Sequence, residues 1–261
     1  MAKHWTTSRT VSAFVMLIVI LGGGAAAAQE APPEATPEAA ATVEVVTITQ
    51  EECAAAAPNA SAPFFIGLAN AYFEDEDYTG AIRAYSCAIF GAAELPIVYA
   101  NRGYAYFVQR ADPEALADFN RAIELDGSLA APYNYRGMLY TVQGNFGLAL
   151  GDFTVAVTLD PNYAEAYNNR AVVHAAEGNF DLALFDIESA LLIAPDDPAP
   201  YATRSAVYGA LALREAAEYR ARAGEAALFP GGSPAEVVAA LRTDAEFGSF
   251  GTWLTLLVRG G

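Results

Sequence analysis

Lysine is almost absent from this chain: Lys3 is the only one, and the 14 basic residues face 31 acidic ones, for a formal net charge of −17. Lys3 and Arg9 both precede the first apolar run, so the remainder opposes all its carboxylates with arginine alone. Phosphate backbones and anionic membrane surfaces are held by clustered Lys and Arg, so the composition argues against nucleic acid and lipid-surface partners. Histidine is nearly as scarce. His4 lies in the amino-terminal segment, which leaves His174, and one imidazole supplies neither a zinc site nor a Ser/His triad unaided. There is no glycine-rich phosphate loop, zinc-ligand spacing or nucleophile elbow, so no cofactor, metal or catalytic residue is expected. Carboxylates are plentiful, but most fall at turns or on exposed helix positions. Charged residues make up 17% and hydrophobic ones 54%, enough apolar material for a sizeable core.

The amino terminus has three parts. Lys3 and Arg9 give a positive start, residues 11–21 form an apolar run, and residues 22–28 are all Gly and Ala, with Ala26 and Ala28 at cleavage-site spacing. This is the order of a secretory signal, and the run falls short of the roughly 20 residues that span a bilayer. The expectation for residues 1–28 is a cleaved export signal, with an uncleaved membrane anchor as the alternative. Residues 29–49 are expected to be a linker. Its first part, 29–42, is rich in Ala, Pro and Glu and reads as a semi-extended tether. Residues 43–49 alternate weakly and read as the end of that tether or a lone strand; residues 50–61 read as a lead-in helix.

Beyond that, the chain repeats itself. Tyr99, Tyr133, Tyr167 and Tyr201 are each followed three residues later by Arg102, Arg136, Arg170 and Arg204, at a constant period of 34. Ala115, Ala149 and Ala183 recur sixteen residues after three of those tyrosines, then Phe119, Phe153 and Ile187, then Ala122, Ala156 and Ala190. Phe65, Tyr72, Ala81, Tyr85 and Ala88 extend the pattern backwards. Each unit holds two segments of helical periodicity around a turn such as Gly144-Asn145 or Gly178-Asn179. Pro161 and Pro195 close the second segment. Small residues let the two helices approach and aromatics fill the seam. One hairpin cannot bury its own apolar face, so the units must stack.

The pattern resembles the tetratricopeptide repeat, in units 62–95, 96–129, 130–163, 164–197 and 198–231. The resemblance implies an all-α, right-handed solenoid of about five hairpins; residues 232–261, beyond it, read from their own pattern as a capping helix and an apolar tail. It also implies a concave groove lined by first-helix residues that takes polypeptide ligands. Carried onto this sequence, the groove comprises Ile66, Asn70 and Phe73, then Asn101, Tyr104 and Phe107, then Asn134, Tyr135 and Met138, and finally Asn168, Asn169 and Val172. Amides suit a peptide backbone and rings suit side chains. Family members that clamp chaperone carboxyl termini place basic residues where this chain has Ile66, Ala131 and Tyr135, so only Asn70 and Asn101 match that clamp. His174 occupies a position that usually packs an aromatic ring.

Two further features recur or pair. Arg102, Arg136, Arg170 and Arg204 form one ladder and Asp118, Asp152 and Asp186 another, which suggests repeated Arg–carboxylate pairs. Pairing within a unit and pairing to the next unit both fit the spacing. Cys53 and Cys87 either form a disulfide that staples the lead-in helix to the first unit or remain buried thiols. The functional expectation is a non-enzymatic adaptor or scaffold outside the cytoplasmic membrane that holds a protein or peptide. The alternatives are a self-assembling envelope protein, in which one copy's tail fills another's groove, and a cell-wall enzyme on a helical solenoid.

Overall fold

A computed structural model describes residues 46–91 and 94–225. The expected export signal, most of the linker, the capping helix and the apolar tail lie outside the described residues. The chain divides into two compact units, Met1–Thr203 and Arg204–Gly261. The described residues contain ten helices and no strand.

The first helix, α1 (Gln50–Ala56), is short and acidic at its start. Thr49 and Glu52 close it with a reciprocal capping box, which satisfies two otherwise orphaned backbone donors. Four hairpins follow: α2 (Ala62–Glu74) with α3 (Tyr78–Phe90), α4 (Pro96–Val108) with α5 (Asp112–Leu125), α6 (Ala130–Val142) with α7 (Phe146–Leu159), and α8 (Ala164–Ala176) with α9 (Phe180–Ile193). Each second helix also packs on the next hairpin's first helix, and α4, α6 and α8 touch in sequence as an inner row.

The close approach within each hairpin follows from residue size. Tyr85, Phe119, Phe153 and Ile187 are buried at equivalent positions of the second helices. The first helices meet them with Ala69, Gly103, Gly137 and Ala171. A β-carbon on Gly103 would lie 2.8 Å from the Phe119 ring, and one on Gly137 would lie 2.7 Å from Phe153. Ala81, Ala88, Ala115, Ala122, Ala149, Ala156, Ala183 and Ala190 complete the seam, all fully buried.

The hairpin turns share one geometry. Glu76, Arg110, Gly144 and Gly178 stand 34 residues apart, and all take positive φ, between 59° and 79°. In each, the next backbone N–H reaches back to the carbonyl of Tyr72, Tyr106, Tyr140 or His174, at 2.8 to 3.0 Å. This is a Schellman closure, which favours glycine at the left-handed residue. Two turns use glycine, and the other two hold a side chain in that conformation at some loss of stability.

Cys53 and Cys87 form a disulfide with Cα atoms 5.4 Å apart, tying α1 to α3. Closing a loop of that length stabilises the fold by about 3–4 kcal/mol. Residues 46–49 form no strand. Val46 accepts a hydrogen bond from the Tyr106 hydroxyl and Ile48 packs beside the disulfide cluster, so this stretch is docked on the domain instead of serving as free tether.

The expected fifth hairpin, residues 198–231, does not form as the others do. Instead, α10 (Pro198–Glu225) runs unbroken through the place of the turn. Ala212 and Leu213 stand where the two preceding units have Gly-Asn, and the flanking Ala, Leu, Arg and Glu all favour helix.

Arg110→Gly should raise stability by about 0.5–1 kcal/mol, because it relieves a left-handed non-glycine residue. Gly137→Ala should lower it by about 1–3 kcal/mol through overpacking against Phe153. Urea midpoints of the two variants check both signs; an Arg110→Gly midpoint below that of the unaltered protein would contradict the turn geometry.

Candidate functional site

The first helices carry all twelve residues expected to line the groove, and their exposure divides them evenly. Tyr104, Asn134, Met138, Asn168, Asn169 and Val172 are buried. Ile66, Asn70, Phe73, Asn101, Phe107 and Tyr135 are half-buried. Half of the set is therefore packing between helices, and the accessible surface belongs to the other half.

The rings form a continuous strip across three hairpins. Phe73 lies 5.6 Å from Tyr104, and Tyr104 lies 4.9 Å from Tyr135 and 6.1 Å from Phe107 between centroids, all tilted. Phe119 supports Tyr135 at 6.0 Å. Offset and tilted contacts of this kind are favoured by the ring quadrupoles. The strip is held by its own packing before any ligand arrives.

Two amide networks flank it. At the first, the Tyr85 hydroxyl donates to Asn70 Oδ1 at 2.7 Å, and the Asn101 side chain hydrogen-bonds to the same phenol. The two asparagines that match the chaperone clamp thus converge on a buried tyrosine. Burial raises the Tyr85 pKa to about 12, with the Asn101 hydrogen bond opposing it. At the second, Asn169 donates to Asn134 Oδ1 at 3.0 Å, and Asn134 Nδ2 donates to the Tyr163 hydroxyl at 3.2 Å and to Glu165 Oε1 at 3.4 Å. Burial raises the phenol pKa values of Tyr135 and Tyr163, and the Glu165 carboxylate adds to both. Asn168 Oδ1 is buried without a hydrogen-bond partner.

Tyr163 and Glu165 are not among the expected groove residues, although Glu165 occupies the same first-turn place in α8 as Ala131 in α6. Position is their only signal in the sequence, since neither belongs to the repeated motif.

The arginine ladder resolves to pairing within the hairpin in the second, third and fourth hairpins. Arg102 reaches both oxygens of Asp118 at 2.8 Å, Arg136 both oxygens of Asp152 at 2.8 Å, and Arg170 both oxygens of Asp186 at 2.8 and 2.7 Å. The remaining nitrogen of each reaches backwards to the previous hairpin, where it donates to Ser86, Asn120 or Thr154. Tyr99 and Tyr106 flank the Arg102 guanidinium, Tyr133 and Tyr140 flank Arg136, and Tyr167 flanks Arg170. His174 stands where a second tyrosine would be, 3.9 Å from Asp186. Burial lowers its pKa, the Asp186 charge opposes this, and Arg170 adds to the lowering.

The family model described as tetratricopeptide repeat matches residues 66–130 and 136–200. Human and rat serine/threonine-protein phosphatase 5 are each 47% identical over 58 residues, which is 22% of this chain and only 12% of the phosphatase. The crystal structure of YrrB, described as a TPR protein with an unusual peptide-binding site, covers 60% of this chain and 80% of its own at 24% identity and a TM-score of 0.49. The first TPR domain of the human RPAP3 protein covers 46% of this chain and 95% of its own at 25% identity and a TM-score of 0.45.

The buried phenols make a pH dependence. Unfolded tyrosine loses its proton near pH 10 and folded Tyr85 near 12, so its contribution is fully present below pH 10 and is lost as pH rises to 12. The loss from Tyr85 alone is about 3 kcal/mol. Urea midpoints across that range should fall steeply, and less so in Tyr85→Phe; an equal slope in both proteins would contradict the assignment.

Proposed function

We propose that this chain, which carries tetratricopeptide repeats over residues 66–130 and 136–200, is a non-enzymatic protein-interaction module that binds an extended polypeptide segment along its inner row of helices. The observation that carries this reading is the ring strip of Phe73, Tyr104, Phe107 and Tyr135, half-buried at three of its four members and bordered by amides. Rings supply apolar contact at little entropic cost and the amides suit a peptide backbone. We place its action outside the cytoplasmic membrane. The supports are the signal-like order of residues 1–28 and a disulfide, a bond that persists in oxidising compartments.

A second reading, self-association, is favoured by a separate observation. Leu182, Phe185 and Leu192 recur at helical spacing on α9 and are 52%, 65% and 86% exposed. Phe185→Ser would then lower the sedimenting mass, whereas a monomer before and after the change would remove that reading.

The groove reading is tested by affinity capture of peptides from a random library, with Phe107→Ala and Phe73→Ala as controls. These residues are half-buried, so truncation alters the surface with less harm to the core than changes at Tyr104, Asn134 or Asn168. Capture should fall by about tenfold in either variant. Capture unchanged in both would contradict the groove, and export of the chain is checked separately by the mass of its amino terminus in the secreting host.

A further inference from the structure

We infer that the inner groove selects an extended segment bearing arginine or lysine side chains; the inference rests on the groove reading above and specifies its ligand. It starts from charge. None of the twelve expected groove residues is charged, and two glutamates border them on the first helices: Glu74, next to Phe73 in sequence, and Glu165, bonded to Asn134. Glu74 is exposed at the end of α2, and Glu165 lies half-buried at the start of α8, against Asn134.

The hairpins do contain cations, but their donors point elsewhere. Arg102, Arg136 and Arg170 each commit Nε and one terminal nitrogen to an aspartate and the other terminal nitrogen to the preceding hairpin. Tyrosine rings flank all three. None of these three arginines is offered to a ligand's carboxylate. An acidic segment would meet no cation at the lining positions, and would approach a chain of net charge −17.

A second observation points to a donor-rich ligand. Asn168 Oδ1 is buried without a hydrogen-bond partner, and its residue is 5% exposed. Asn168 lies three residues after Glu165 on α8, which places the two on one helix face. That face carries a carboxylate that accepts from Asn134 and, beside it, a buried acceptor without a partner, so its polar atoms are acceptors that suit a ligand rich in N–H donors. Arginine and lysine supply several such donors and no acceptor.

The ring strip suits the same chemistry. A guanidinium or ammonium is attracted to an aromatic face, and the aliphatic stem of either side chain packs on rings while its head stays at the rim. Glu74 at one end and Glu165 at the other would then hold cations on either side of Phe73, Tyr104, Phe107 and Tyr135.

Fluorescence anisotropy on the full chain tests this with two short amidated peptides. They share the same apolar residues at alternate positions and carry arginine or glutamate at the rest. The arginine peptide should bind about tenfold more tightly at low salt, and the gap should narrow as salt is raised. Glu165→Gln should weaken the arginine peptide several-fold, and Glu74→Gln, at an exposed site that leaves the fold intact, should weaken it by a smaller factor. Equal or tighter binding of the glutamate peptide overturns the inference and leaves the groove reading standing. Arginine-peptide affinity unchanged in both glutamate variants also overturns it, since binding would then lie elsewhere on the acidic surface. Failure of both peptides to bind overturns the groove reading and the inference with it.

Discussion

Arg136 ties three helices together. Two of its nitrogens grip both oxygens of Asp152 on the second helix of its own hairpin, the third donates to Asn120 on the hairpin before, and Tyr133 and Tyr140 flank the guanidinium. Arg102 and Arg170 repeat the arrangement one period either side. A planar fork of fixed geometry tolerates little sliding, so each rung sets the register between consecutive hairpins as well as within one. These pairs are part-buried, and removing one partner would strand the other charge at a cost on the order of 3 kcal/mol. Burial raises the Asp118 pKa even though Arg102 opposes it.

The groove depends on that register. The ring strip crosses from α2 through α4 to α6, and the amide contact of Asn134 with Asn169 crosses from α6 to α8. The Phe73–Tyr104, Tyr104–Tyr135 and Asn134–Asn169 contacts each join two hairpins. They require each first helix to meet the next at the same height, which the rungs enforce. The same constraint explains why these arginines do not serve a ligand: their donors are taken up in holding the stack.

Much of this was legible in the sequence, because the period of 34 carries the small and aromatic seam residues with it. Gly103 and Gly137 repeat at that period too, but only the structure shows that a β-carbon at either would lie under 3 Å from a phenylalanine ring. The direction of the ladder was not legible. Arg102 and Asp118 fit either pairing by spacing, and only the geometry of the hairpin brings the residue sixteen places on beside the arginine. The turns at Glu76 and Arg110 were hidden because neither residue is glycine, although both take the left-handed conformation that Gly144 and Gly178 take. The unbroken α10 was hidden because Tyr201 and Arg204 keep the motif while Ala212 and Leu213 drop the turn. Burial within the groove was equally invisible. Tyr104 and Asn134 are buried where the first hairpin has half-buried Asn70 and Ile66, and both touch residues of the adjacent first helices.

Amide hydrogen exchange on Asp152→Asn tests most directly whether the rungs join hairpins or merely decorate them. If the Arg136 rung couples its neighbours, protection falls in α6 and α7 and also in α5, which carries Asn120. Loss confined to α6 and α7 would show that each hairpin keeps its own register, and would contradict coupling of the stack through the rungs.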